Sequence, residues 1–118
     1  MQSLTVLYDA TCPLCCKAAS WLDSQPKYVP IVFCAAGSPA ARTAFPGLDH
    51  EATRNELTVV GETGEVYYAE RGWLMCLWAT RKHRAMALRF STPHGMAQAK
   101  RFVLWVSRHR QLLGRVVA

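Results

Sequence analysis

The sequence predicts an α/β domain whose central mixed sheet is built in the order βαβαββα and followed by one more, basic, helix. Three observations carry this. Two apolar runs rich in β-formers, residues 4–8 and 29–35, flank a helical stretch that opens at Cys12-Pro13. Two further runs, residues 56–60 and 65–69, enclose Gly61-Glu62-Thr63-Gly64, a hairpin signal with glycine in the turn. The chain has 118 residues and is 51% hydrophobic, which is enough for one core and too little for two domains. A single domain over residues 1–118 follows, with residues 93–118 as a helical extension packed on it.

The first run, Leu4 to Tyr8, reads as a buried strand. Pro13 has no backbone N–H to donate and its φ is pre-set for a first helical turn, so Cys12 falls at the N-cap. A sulfur there faces unpaired N–H groups and the positive end of the helix dipole, and both favour thiolate over thiol. Leu14, Cys15, Ala18, Ala19 and Leu22 recur at three- and four-residue spacing, which turns Cys15 inward and leaves Cys16, Lys17, Ser20 and Asp23 on the polar side.

The run at 29–35 is apolar throughout, as for a strand covered on both faces. It closes a right-handed βαβ unit that sets Cys12 at the carboxyl end of two parallel strands. Ser38-Pro39 opens a short helix stopped by Pro46-Gly47, and residues 48–55 read as a polar loop. After the hairpin, Gly72 starts a helical stretch carrying Trp73, Leu74, Leu77, Trp78, Met86 and Leu88, with Arg81, Lys82 and Arg84 inside it. Thr92-Pro93 reads as another cap, and residues 96–113 as a final amphipathic helix ended by Gly114. Phe102, Trp105, Val106, Leu112 and Leu113 form its expected core side, with Lys100, Arg101, Arg108 and Arg115 outward.

The chemistry concentrates in Cys12-Pro13-Leu14-Cys15. Cys12 is the expected attacking thiol and Cys15 the resolving one, while Cys16 stands by because a bridge between adjacent residues is strained. Asp9, three residues upstream, either caps the turn or moves a proton to and from the pair. Such a dithiol exchanges with a disulfide- or thiol-containing protein or small molecule and needs no added cofactor. A Cys-x-x-Cys is also half of a zinc site, with His50, His83, His94 and His109 in the chain. No second Cys-x-x-Cys and no His-x-x-x-His accompanies it, so no metal is expected. Cys34 and Cys76 read as small core residues.

The stretch Tyr8-Asp9-Ala10-Thr11-Cys12-Pro13-Leu14-Cys15 resembles the Asp-x-x-Cys-x-x-Cys signature of the DCC-type thiol-disulfide oxidoreductase-like family. Residues 55–72 are similar to that family's strand, glycine turn, strand and Arg-Gly helix start. Val106-Ser107-Arg108-His109-Arg110-Gln111-Leu112-Leu113-Gly114-Arg115 is similar to its basic C-terminal segment. The resemblance implies a thioredoxin-like fold, a dithiol–disulfide activity and a site role for Asp9 beside Cys12 and Cys15. The element order βαβαββα is also that of thioredoxins. One feature departs from thioredoxins in general, which hold an extended substrate on a cis-proline before the third strand. Thr53-Arg54-Asn55-Glu56 contains no proline and the nearest is Pro46, so that docking route is not carried over.

Charge is split along the chain. Residues 1–70 hold four basic residues and all eight acids, whereas residues 71–118 hold the other ten basic residues and no acid. An anionic partner for the C-terminal part is expected, a membrane surface or an acidic protein ahead of nucleic acid, for which no recognised motif accompanies the charge. The rival to an oxidoreductase is therefore a non-catalytic adaptor docking through its basic helices. Five cysteines and the absence of a secretory apolar segment before the first strand set the cytoplasm as the expected compartment, with contact at the membrane periphery.

Overall fold

The strand that begins the chain is the hub of the sheet. In the computed structural model, which describes residues 3–110 and 112–113, β1 (Leu4–Tyr8) pairs in parallel with β2 (Ile31–Ala35) and antiparallel with β3 (Thr58–Gly61). β3 pairs antiparallel with β4 (Val66–Tyr68), giving the order β2-β1-β3-β4. The fold is thus mixed α/β, with a four-stranded mixed sheet. Around it, among the described residues, lie α1 (Pro13–Ser24), α2 (Pro39–Ala44), α3 (Ala52–Asn55), α4 (Ala69–Ala79), α5 (Arg84–Phe90) and α6 (Pro93–Arg108).

Side chains alternate across β1, so the strand feeds a cluster on each face. Leu4 and Val6 join Leu22 of α1, Val59, and Cys76 and Ala79 of α4, with Phe33, Trp73 and Trp78 against them. Leu7 faces the other way, onto Ala41 of α2 and Val60, with Phe45 and Leu48 beside them. Leu22 is the one fully covered side chain of α1, and burying it is worth roughly 1.5–3 kcal/mol.

Several boundaries differ from the sequence reading, each for a local reason. β2 starts at Ile31 rather than Val29, because the Tyr28 and Val29 N–H groups both donate to Ala79 O at the end of α4. β2 is also an edge strand, and Val32 on it is exposed rather than covered. The expected polar loop contains α3, whose start is held by Asp49 Oδ1 accepting from the Glu51 and Ala52 N–H groups at 3.2 Å each. α4 begins at Ala69, three residues before Gly72, with Ala69 N–H donating to Leu57 O at 2.9 Å. Gly72 serves a close approach instead, since a Cβ there would lie 3.2 Å from both Tyr67 O and Val59 Cγ2.

The long apolar stretch divides into α4 and α5. Thr80 ends the first by donating its hydroxyl to Leu77 O at 2.7 Å, and the basic turn then folds back. There the Arg84 guanidinium lies 4.3 Å from the Tyr28 ring centroid and 4.2 Å from that of Trp78.

α6 opens as read, with Pro93 in the first turn and Thr92 Oγ1 accepting from Gly95 N–H at 3.1 Å. Its rotational phase differs. Gly95 sits so close to α5 that a Cβ would be 2.7 Å from Phe90 Cα, and this contact turns the line Met96, Ala99, Val103 and Val106 towards the domain. Phe102, Trp105 and Leu112, expected in the core, are 67%, 51% and 58% exposed. Lys100, Arg101 and Arg108 do face outward, while Gly114 and Arg115 lie outside the described residues. Among the described residues, no helix is long and apolar enough to cross a membrane.

Candidate functional site

The site begins where β1 ends. Cys12 N–H donates to Asp9 O at 3.2 Å and closes a turn that delivers Cys12 to the N-cap of α1, in extended conformation (φ −98°, ψ 117°), with Pro13 at the first helical position. Cys12 Sγ accepts from the Cys15 N–H at 3.3 Å, so its sulfur lies over the open end of the helix, where backbone N–H groups favour negative charge. One turn of helix thereby brings Cys12 and Cys15 together.

Cys15, expected inward, and Cys16, expected on the polar side, do not separate in exposure. Cys12 is buried at 7% exposure, whereas Cys15 and Cys16 are both half-buried. The capping contact folds the Cys12 sulfur back over its own helix. Cys16 donates its thiol to Ala10 O at 3.3 Å.

Asp9 is engaged on both oxygens. Its Oδ1 accepts from Thr11 N–H at 3.0 Å and from Thr11 Oγ1 at 2.6 Å, and its Oδ2 lies 3.4 Å from Arg110 Nη2. The same guanidinium approaches the pair, with Nη1 4.0 Å from Cys15 Sγ. The Cys15 thiol is pushed up to about 12 from 9.0, first by burial, then by its hydrogen bond to Cys12 and by the charge of that sulfur. Asp9 adds to the rise, and the positive charge of Arg110 opposes it.

The remaining cysteines and histidines lie elsewhere. Cys76 is fully buried in the core, and burial pushes its thiol up to about 12, which fits an inert packing residue. Cys34 is half-buried beside the Leu7 cluster, 3.9 Å from Ser38 Oγ. His50 is buried against Phe45 O, His83 packs on the Trp21 ring and His109 stacks on Trp105. Among the described residues, no three His, Cys, Asp or Glu side chains form a group able to hold a metal ion.

A family model for DCC1-like thiol-disulfide oxidoreductases matches residues 6–116. The chain belongs to this family. No curated protein and no solved structure matches it.

In this DCC1-like chain, Asp9, Cys12 and Cys15, each singled out in the sequence, converge at one turn. Arg110 was not singled out. Its only sequence signal is its place in the basic segment of residues 106–115, and a contact across 95 residues leaves no periodic trace in the chain. The geometry offers an anion-stabilising position for one sulfur, a second sulfur one turn away with its proton firmly held, and a cation between that second sulfur and a carboxylate.

Proposed function

We propose that this chain carries out thiol–disulfide exchange through Cys12 and Cys15. The observation that carries the reading is the Cys12 sulfur at the helix N-terminus, accepting from the Cys15 N–H within a chain of a thiol-disulfide oxidoreductase family. Cys12 thiolate attacks one sulfur of a substrate disulfide, a mixed disulfide forms, and the other substrate sulfur leaves with the electron pair. Cys15 then attacks Cys12 Sγ, giving a Cys12–Cys15 bridge and a reduced substrate. The dithiol is itself the electron carrier, and the substrate class is a disulfide- or thiol-bearing protein or small molecule.

A thioredoxin-like fold is part of this reading. It is supported by the sheet order β2-β1-β3-β4, with β1 and β2 parallel, β3 and β4 antiparallel, and the Cys pair at the carboxyl end of β1. The test is oxidation of the purified reduced protein with a small disulfide, followed by peptide mass mapping. A single Cys12–Cys15 bridge that dithiothreitol reverses is the expected product. A bridge through Cys16 or Cys34, or none, overturns the reading.

A second reading concerns where the chain works, and the outward face of α6 favours it. Arg101 and Arg108 stand there with Leu104, Trp105 and the following Leu112, all exposed, in a half of the chain that contains no acid. Cations interleaved with tryptophan and leucine suit peripheral attachment to an anionic bilayer from the cytoplasmic side. Co-sedimentation with phosphatidylglycerol and phosphatidylcholine vesicles across a salt series tests it. Binding to the anionic vesicles that weakens with salt is expected, and equal binding to both removes the lipid reading.

A further inference from the structure

The resolving cysteine presents a problem that the exchange reading leaves open. Cys15 must become a thiolate to attack the mixed disulfide, yet burial and the Asp9 carboxylate, which both persist once Cys12 is tied to substrate, oppose its ionisation. Among the described residues, one cation is placed to offset them. Arg110, just beyond the end of α6, sets Nη1 4.0 Å from Cys15 Sγ and Nη2 3.4 Å from Asp9 Oδ2. Its side chain is 32% exposed and that of Asp9 14%, so the charges act through a partly dry environment.

We propose that Arg110 is a catalytic residue of the exchange reaction, stabilising the thiolate that Cys15 must form before it attacks the mixed disulfide, and that Asp9 serves chiefly to position Arg110. The proposal rests on the exchange reading given above. In the step concerned, the Cys15 thiol gives its proton to water and the thiolate attacks Cys12 Sγ. The Cys12–substrate S–S bond breaks as the Cys12–Cys15 bond forms, and the electron pair leaves on the substrate sulfur, which takes up a proton. The guanidinium faces the attacking sulfur throughout, and its delocalised charge is retained at every working pH. Asp9 has one oxygen occupied by Thr11 and the other facing the guanidinium, an arrangement that fits an orienting carboxylate rather than one free to carry protons.

The experiment follows the two steps separately in the full-length protein. Reduced wild type, Arg110→Gln and Arg110→Lys are mixed with Ellman's reagent, quenched with acid at short intervals and mass-mapped for the Cys12 adduct and the Cys12–Cys15 bridge. Arg110→Gln is expected to slow conversion of adduct to bridge about tenfold, the effect of removing a cation near 4 Å at a half-buried site. The rate of that conversion should keep rising to higher pH than in wild type, formation of the adduct should stay within about twofold, and Arg110→Lys should recover most of the loss. Conversion within twofold of wild type in Arg110→Gln, or equal slowing of both steps, overturns the proposal. If Arg110→Gln does not fold, as read from its thermal melt, Arg110→Lys decides. A lysine there keeps the charge, so a loss as large as a neutral residue would give overturns the proposal. Failure of the wild type to form the bridge is a different result, which strikes the exchange reading itself.

Discussion

Removing the Cys12 sulfur should make Cys15 more reactive, which is the reverse of what loss of an attacking thiol does to the exchange reaction as a whole. In the native dithiol the Cys15 thiol is pushed up to about 12, with burial as the largest cause and the Cys12 hydrogen bond and charge next. Only thiolate alkylates, so at pH 8 roughly one Cys15 in ten thousand is reactive, against roughly one in ten for a thiol at the ordinary value of 9.0. Cys15 alkylation should therefore run about a thousandfold below that of an unperturbed thiol, before any steric shielding. Cys12→Ala removes two of the causes and keeps burial and Arg110, so Cys15 alkylation at pH 8 should rise by at least about tenfold. Iodoacetamide labelling between pH 7 and 10 with mass mapping reads this directly. In the native protein the logarithm of the Cys15 rate should climb with unit slope across the whole range. A plateau below pH 9, or an unchanged rate in Cys12→Ala, would refute the account of how the two sulfurs interact. The variant also loses its N-cap acceptor, at a cost of about 1 kcal/mol, which a thermal melt monitors.

Other consequences test the scaffold. Gly95→Ala drives a Cβ to within 2.7 Å of Phe90 Cα and 2.8 Å of Arg89 O, so α6 must move off α5. A loss of roughly 1–3 kcal/mol in urea unfolding is expected, and a neutral result would show that the helices do not meet there. Leu22→Ala empties the one fully buried site of α1 and should cost roughly 2–5 kcal/mol. Cys76 is held neutral up to about 12, so its stabilising contribution is complete below 9.0 and is lost as pH rises from 9 towards 12. Native stability should fall across that window by up to about 1.4 kcal/mol per pH unit from this group, and Cys76→Ala should show a shallower fall in urea melts at pH 7 and 10. Equal slopes in the two proteins would contradict it.

How far the sequence discloses this molecule depends on whether the determining contact is local. The Cys12 cap is legible because Pro13 follows it, and β1 because its β-formers alternate onto two clusters. The phase of α6 is misleading, because Phe102 and Trp105 outweigh smaller residues in any hydrophobic pattern. The side that actually packs runs through Gly95, Ala99, Val103 and Val106, where small volume rather than apolarity marks a close approach. That same face continues to Arg110, which is how a basic residue reaches the site. α3 is hidden for a different reason: four residues, with Asp49 Oδ1 accepting from the Ala52 N–H, are too short for a period to register.

The contact between Arg110 and Asp9 also sets an order in time. On the ribosome, Cys12 and Cys15 are made early, and β1 cannot take its antiparallel partner until residues 58–61 have followed. The arginine comes later still, 95 residues after Cys15. During that interval the nascent chain holds its dithiol without the cation that faces Cys15 in the finished fold. One turn of α1 sets the pair, and docking of the final segment then adds the cation to it.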